Sequence, residues 1–112
     1  MIEIRVYTTA NDKRPYIEWL SKQDKTVMSR IRVAIDRLRD GNTGNLKSVG
    51  DGVHEIRLTF GAGFRIYLGK EGNEIVILLH GGTKHRQSAD IAKAKEFWRD
   101  HLERKQHERS QK

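Results

Sequence analysis

Residues 54–68, HEIRLTFGAGFRIYL, alternate between apolar and polar side chains on both sides of a short glycine segment. Alternation with a period of two is typical of β-strands that bury one face. The segment Gly61-Ala62-Gly63 suits a hairpin turn, because glycine tolerates the backbone angles that tight turns need. The sequence therefore predicts two antiparallel strands joined by a short turn.

The same alternation assigns each side chain of the hairpin to a face. Ile56 and Ile66 fall on the predicted core face, so Arg57, Arg65 and Tyr67 fall on the opposite face. If the two strands pair, these three side chains become cross-strand or diagonal neighbours. We therefore expect a basic and aromatic surface that points away from the core.

The remaining elements complete an α+β domain. A strand is predicted near residues 2–6, and two amphipathic helices follow near residues 15–20 and 25–40. Residues 42–52 form a loop with room for a short strand. Residues 74–79, EIVILL, are continuously apolar, as in a strand covered on both faces, and a third helix starts near residue 88. The predicted order is β-α-α-β-β-β-α, with a small antiparallel sheet, a helical hairpin on one face and a C-terminal helix.

Length and charge limit what the chain can be. The 112 residues are enough for one domain, which we place at residues 1–104, and residues 105–112 are expected to be a disordered polar tail. The formal net charge is +7 and the sequence pI is about 9.9. A net positive charge of this size predicts attraction to a polyanion or to an acidic protein partner.

Composition also excludes several classes of site. The chain has no cysteine, which rules out disulfides, thiolate metal sites and thiol nucleophiles. No histidine pair has helical spacing beside carboxylates, so no metal or other cofactor is expected. No apolar run reaches the roughly 20 residues that a membrane span needs, and the N-terminus lacks a signal-peptide pattern. The simplest prediction is a cytoplasmic protein without a membrane partner.

Several basic residues are predicted to adjoin the hairpin surface. Lys84, His85 and Arg86 leave the end of the strand that follows the hairpin, and Lys47 precedes its first strand. Arginine can hold a phosphate through two hydrogen bonds and stabilise a phosphoryl transition state. RNA carries its own nucleophile in the 2′-hydroxyl, so such a site could cleave RNA without a metal.

The residues alone also allow less specific interpretations. An arginine on an exposed strand is usually solvated or paired with a carboxylate, and Glu55 is available for that pairing. Tyr67 could be an ordinary half-buried strand residue. Residue chemistry by itself thus supports a basic α+β domain with a possible RNA-phosphate surface.

An ordered set of short motifs resembles a known family. Gly63-Phe64-Arg65-Ile66-Tyr67 is followed by Gly81-Gly82-x-Lys84-x-x-Gln87 and by Asp90-Ile91-x-x-Ala94. Together they resemble the phage-derived Gp49/HigB-like addiction module killer proteins of the RelE/ParE toxin superfamily. The resemblance extends up to about residue 104 and implies a RelE-like fold. It also implies the toxin of a type II toxin–antitoxin system.

The resemblance implies roles for particular residues. In the RelE and HigB branch, the toxin cuts messenger RNA on the ribosome and needs no metal or cofactor. By position, Arg57 and Arg65 would bind phosphate, Tyr67 would stack on a base or transfer a proton, and Lys84 would stabilise charge or act as the acid. A second group of expected RNA-binding residues comprises Lys47, His85, Arg86, Gln87 and Asp90. No residue is an obvious general base.

The resemblance also implies partners and leaves alternatives open. The expected partners are the ribosome with its messenger RNA and a cognate antitoxin, often a small helix-turn-helix protein, and the free toxin is expected to be a monomer. Because the superfamily includes ParE proteins, a DNA gyrase inhibitor that cleaves no RNA is an alternative. A member without catalytic activity that only binds its antitoxin or nucleic acid is another.

Overall fold

The computed structural model describes residues 1–110 and shows an α+β fold built on a five-stranded sheet. The elements are β1 (Glu3–Val6), α1 (Pro15–Ser21), α2 (Lys25–Arg39), β2 (Leu46–Gly50), β3 (Val53–Arg57), β4 (Phe64–Glu71), β5 (Ile75–Thr83), a 3₁₀ turn (Lys84–Arg86) and α3 (Gln87–Ser110). The strand order is β1-β5-β4-β3-β2. The predicted fold class is confirmed, and the architecture agrees with a small RelE-like fold.

The sheet differs from the expected one in two places. β1 pairs in parallel with β5, whereas the other neighbours are antiparallel. Because two helices and three strands separate β1 from β5, no hairpin fixes their relative direction. The segment that we expected to be mainly loop contains β2, which pairs with β3 so that Lys47 lies opposite Glu55. The order is therefore β-α-α-β-β-β-β-α.

The predicted hairpin is present, and the structure gives its register. Ile56 lies opposite Ile66 and Arg57 lies opposite Arg65 in the β3–β4 pair. β3 ends at Arg57 rather than continuing to Phe60. The turn is closed by backbone hydrogen bonds, among them one of 3.1 Å from the Gly63 amide to the Phe60 carbonyl. The connection is therefore a broader loop that holds its backbone close to the end of β5.

The sheet is covered on both faces, which creates two hydrophobic cores. The first lies under the α1–α2 hairpin and includes Tyr16, Ile31, Ile35, Leu38, Ile56, Phe64, Ile66, Leu68, Val76 and Leu78. The second lies under α3 and includes Tyr7, Val53, Tyr67, Ile77, Leu79, Ala94 and Trp98. β5 contributes to both cores, as expected for a strand buried on both faces.

Helix α3 continues to Ser110, six residues beyond the expected end of the domain at residue 104. The last turns of α3 carry no apolar residue. Polar contacts with Glu71 hold this part of the helix against β4. Glu71 accepts from His101 Nε2 at 2.6 Å and from Lys105 Nζ at 2.7 Å, and these two bonds lower the pKa of the Glu71 carboxyl. The predicted tail is thus helical up to residue 110, and its last two residues lie outside the described chain. Within residues 1–110, no helix is both long and apolar enough to cross a membrane.

A tight contact in the second core gives a stability test. The indole ring of Trp98 lies directly on the backbone of Gly69, so that a Cβ at Gly69 would overlap the ring. We expect Gly69→Ala to reduce the free energy of unfolding by about 1–3 kcal/mol, because the packed core cannot make room without strain. Urea unfolding measures the change. Gly44→Ala is the matched control, since no atom lies within 4 Å of a Cβ there, and an equal loss in both variants would contradict the packing argument.

Tyrosine ionisation gives a second test of the two cores. Burial raises the pKa of Tyr16 to about 12, and burial with a hydrogen bond to Asp100 raises that of Tyr7 to about 12. Burial also raises the pKa of Tyr67. Because ionisation occurs first in the unfolded chain, near pH 10, stability should be complete below about pH 10 and fall as the pH rises toward 12.

The measurement is the ultraviolet absorbance of tyrosinate in folded and urea-unfolded protein. The folded chain should show little tyrosinate at about pH 10.5, whereas the unfolded chain should be largely ionised there. The variant Tyr16→Phe should reduce the loss of stability in this range. Equal tyrosinate absorbance in the folded and the unfolded protein at about pH 10.5 would mean that the rings are open to water.

Candidate functional site

A buried carboxylate lies at the centre of the predicted surface. Glu55 of β3 is only 1% exposed. It accepts from Arg57 Nε at 2.6 Å and from Gln87 Nε2 at 3.0 and 3.2 Å. A buried charge is tolerated when a cation and hydrogen-bond donors satisfy it. Glu55 therefore holds the guanidinium of Arg57 in place and ties β3 to the first residue of α3.

From the sequence, Glu55 was expected only as a partner for an exposed arginine, and its central position was not predicted. The signal was available in the Glu55-x-Arg57 spacing, because residues two apart on a strand share a face. Gln87 was expected to contact RNA. The structure shows instead that its side-chain amide is used in holding Glu55.

The two predicted arginines lie side by side but in different environments. Arg57 keeps 45% of its side chain exposed, and only its Nε is taken by Glu55. Arg65 is 8% exposed, and its Nη1 donates to the carbonyls of Gly63 at 3.0 Å and Phe64 at 3.3 Å. The buried Nε of Arg65 has no partner within residues 1–110. Arg57 thus presents exposed guanidinium to an anion, whereas the guanidinium of Arg65 is held largely within the protein.

The expected exposure of Tyr67 is wrong. It shares the face of Arg57 and Arg65 as the alternation predicted, but that face is covered by α3 and the ring is 0% exposed. The ring lies against the His80 imidazole, with centroids 6.4 Å apart. Its hydroxyl has no hydrogen-bond partner in the described chain, and burial raises its pKa. Tyr67 is therefore a core residue that cannot stack on a bound base without displacing α3.

The predicted basic residues next to the hairpin form one cleft, which we call the hairpin cleft. It has a volume of about 590 Å³ and is lined by Arg57, Leu58, Thr59, Gly61, Ala62, Gly63, Arg65, Lys84 and His85. Lys84 and His85 are exposed on the 3₁₀ turn. A Cβ on Gly63 would come within 3.2 Å of Lys84 Cβ, so the absence of a side chain at Gly63 lets the turn approach the hairpin.

Four of the second-group residues lie outside this cleft, and one of them is Gln87, which holds Glu55. Lys47 is exposed on the edge strand β2, and Arg86 lines a separate cleft beside α1. Asp90 is 5% exposed, and its Oδ1 lies 3.1 Å from His80 Nε2. The structure therefore brings together Arg57, Arg65, Lys84 and His85, and assigns Asp90 to the packing between α3 and β5.

The hairpin cleft is suited to a phosphate. It combines two guanidinium groups, an ammonium group and an imidazole, and no acidic side chain lines it. Arginine donors oriented by fixed partners stabilise charge on phosphoryl oxygens, because they need no rearrangement during the reaction. The described residues contain no group of three or more histidine, aspartate or glutamate side chains that could hold a metal ion.

Comparison with known proteins identifies the family. The model of the phage-derived Gp49-like protein family matches residues 18–98, which include every residue of the hairpin cleft. An uncharacterized protein of Haemophilus influenzae (strain Rd) is 45% identical over 78 residues, which cover 69% of this chain and 79% of that protein. The chain therefore belongs to the phage-derived Gp49-like family, a family of toxins from toxin–antitoxin systems.

Proposed function

We propose that the chain is a ribosome-dependent endoribonuclease toxin that cuts messenger RNA without a metal and is neutralised by a cognate antitoxin. The observation that carries the proposal is the hairpin cleft, where Arg57, Arg65, Lys84 and His85 meet and no acidic side chain lines the surface. Membership of a toxin family supports the cellular role. The net charge of +7 favours a polyanionic target and an acidic antitoxin surface.

The reaction that suits this cleft uses the RNA as its own nucleophile. The 2′-hydroxyl oxygen attacks the adjacent phosphorus, the bond from phosphorus to the 5′ oxygen breaks, and the products are a 2′,3′-cyclic phosphate and a 5′-hydroxyl. The imidazole of His85 takes the proton from the 2′-hydroxyl, and the ammonium group of Lys84 protonates the departing 5′ oxygen. DNA lacks the 2′-hydroxyl and is not cut by this route.

The two arginines stabilise the extra negative charge of the transition state. Arg57 is oriented by Glu55, which is itself held by Gln87. Arg65 is oriented by the carbonyls of Gly63 and Phe64. These fixed partners keep both guanidinium groups aimed before RNA binds, which is the arrangement that stabilises charge most effectively. Glu55 and Gln87 therefore act as positioning residues and do not contact the RNA.

Lys84→Ala gives the sharpest test, because Lys84 is exposed and its loss should not affect folding. We expect cells that produce this variant without antitoxin to keep growing, with messenger RNA cleavage reduced about 100-fold, the usual cost of removing one group that stabilises the transition state. Mapping of messenger RNA 5′ ends after induction measures the cleavage.

The matched control is Arg32→Ala on the exposed side of α2, which removes the same charge from a residue that does not line the cleft and should arrest growth as the unmodified protein does. The proposal is overturned if the unmodified protein arrests growth while messenger RNA stays intact. A trapped gyrase–DNA complex in the arrested cells would point to the ParE-like alternative.

A further inference from the structure

A second cleft lies on the other side of the 3₁₀ turn, between α1, the end of β5 and α3. This α1–α3 cleft has a volume of about 510 Å³ and is lined by Thr9, Lys13, Pro15, Glu18, Trp19, Lys22, His80, Gly81, Gly82, Thr83, Arg86, Asp90, Lys93 and Phe97. The turn separates the two clefts, since Lys84 and His85 line the hairpin cleft and Arg86 lines this one. Nothing in the proposed cleavage reaction uses the α1–α3 cleft.

Two half-buried aromatic rings give this cleft its apolar surface. The indole of Trp19 lies over the backbone of Gly81, where a Cβ would overlap the ring. Phe97 stacks on Tyr7 with centroids 5.1 Å apart, and Lys93 Nζ lies 5.4 Å from its ring centre. Both rings are thus held by the protein on one side, which leaves their exposed parts toward the cleft.

The rim of the cleft is strongly basic. Lys13 and Lys22 lie on the α1 side, and Arg86 and Lys93 lie on the α3 side. Within residues 1–110, the side chains of Lys13, Lys22 and Arg86 have no ion pair, and Lys93 has only a long one of 3.9 Å to Glu96. The acidic residues that line the cleft are Glu18 and the buried Asp90. The charge favours an anionic ligand.

The combination of half-buried rings that line a cleft and cations without close ion pairs is the chemistry of single-stranded nucleic-acid binding, in which bases stack on aromatic side chains and phosphates contact lysine and arginine. We propose that single-stranded RNA passes from the hairpin cleft across the 3₁₀ turn into the α1–α3 cleft. There its bases pack against Trp19 and Phe97, and its phosphates contact Lys22 and Arg86. This inference rests on the proposed function, since it assigns a second binding region to the same RNA.

A protein segment fits the cleft less well. An amphipathic helix of a partner needs a groove with several apolar contacts spaced along its length. The apolar side chains that line this cleft are the two aromatic residues and Pro15. The exposed large hydrophobic residues of the described chain, Met1, Val33 and Leu102, do not line it.

The test uses the whole protein and a fluorescently labelled 2′-O-methyl RNA decamer, which lacks the attacking hydroxyl and therefore cannot be cut. Affinity is measured by anisotropy at several salt concentrations. The double variant Lys22→Gln/Arg86→Gln should lower the slope of log affinity against log salt by about 1.4, because each contact to single-stranded phosphate contributes about 0.7. The control Arg32→Gln/Arg37→Gln, on exposed positions of α2, should keep the full slope.

Trp19 emission supplies an independent readout. Binding of the decamer should quench part of the tryptophan fluorescence, and Trp19→Phe should abolish the quenching while the buried Trp98 continues to emit. Equal slopes in the two double variants, or no quenching by RNA, would overturn the inference, since the attraction would then be general polyelectrolyte binding. Quenching by purified antitoxin but not by RNA would also overturn it and assign the cleft to the antitoxin.

The result of this binding test can be distinguished from the result of the messenger RNA cleavage test of the proposed function. If messenger RNA is cut but the Lys22→Gln/Arg86→Gln variant binds the decamer like the unmodified protein, the nuclease assignment stands and the α1–α3 cleft is not its RNA-binding extension. If RNA quenches Trp19 and the slope falls as expected but messenger RNA stays intact, the cleft assignment stands and the nuclease assignment fails.

Discussion

The buried carboxylate of Glu55 is the constraint on which the site depends. A charge that is 1% exposed requires compensation from its surroundings, and here it comes from the guanidinium of Arg57 and the amide of Gln87. Those two partners belong to β3 and α3, so the interaction fixes where α3 begins against the sheet. The 3₁₀ turn immediately before α3 carries Lys84 and His85. The Glu55 carboxylate therefore orients Arg57 directly. It also positions Lys84 and His85, because the turn that carries them leads directly into Gln87.

Because α3 covers the second face of the sheet, the alternation of side chains predicted correctly which face each residue lies on but not whether that face is exposed. Period-two patterning correctly placed Ile56 and Ile66 on the face under the helical hairpin, and Arg57, Arg65 and Tyr67 on the other. It could not show that α3 covers the second face, because the apolar positions of a helix do not say which surface they pack on. Tyr67 lies where α3 covers the sheet and is buried, whereas Arg57 lies beyond the covered area and is partly exposed.

Other features were beyond sequence reasoning for similar reasons. The parallel pairing of β1 with β5 depends on contacts between distant segments, and no local turn signal encodes it. The end of α3 is held to β4 by the contacts of Glu71 with His101 and Lys105, whereas composition alone predicts a polar tail. By contrast, the proximity of Arg57, Arg65 and Lys84 was predictable from the sequence. Each lies at or next to the end of a strand, and consecutive antiparallel strands bring those ends together.

Because Tyr67 is buried, it cannot contact RNA, and the proposed catalytic roles fall to the other residues of the hairpin cleft. Under the proposed function, the hairpin cleft contributes positive charge through Arg57 and Arg65, and the exposed Lys84 and His85 on the short turn transfer the protons. Among its lining residues the only ring is the His85 imidazole, so the proposal relies on this cleft for charge stabilisation more than for orientation of the RNA. Cleavage by the 2′-hydroxyl requires that oxygen to be in line with the departing 5′ oxygen, and correct orientation is worth several kcal/mol. The proposed nuclease therefore needs the RNA to be oriented from elsewhere, which a ribosome holding the codon would do and which free RNA would lack.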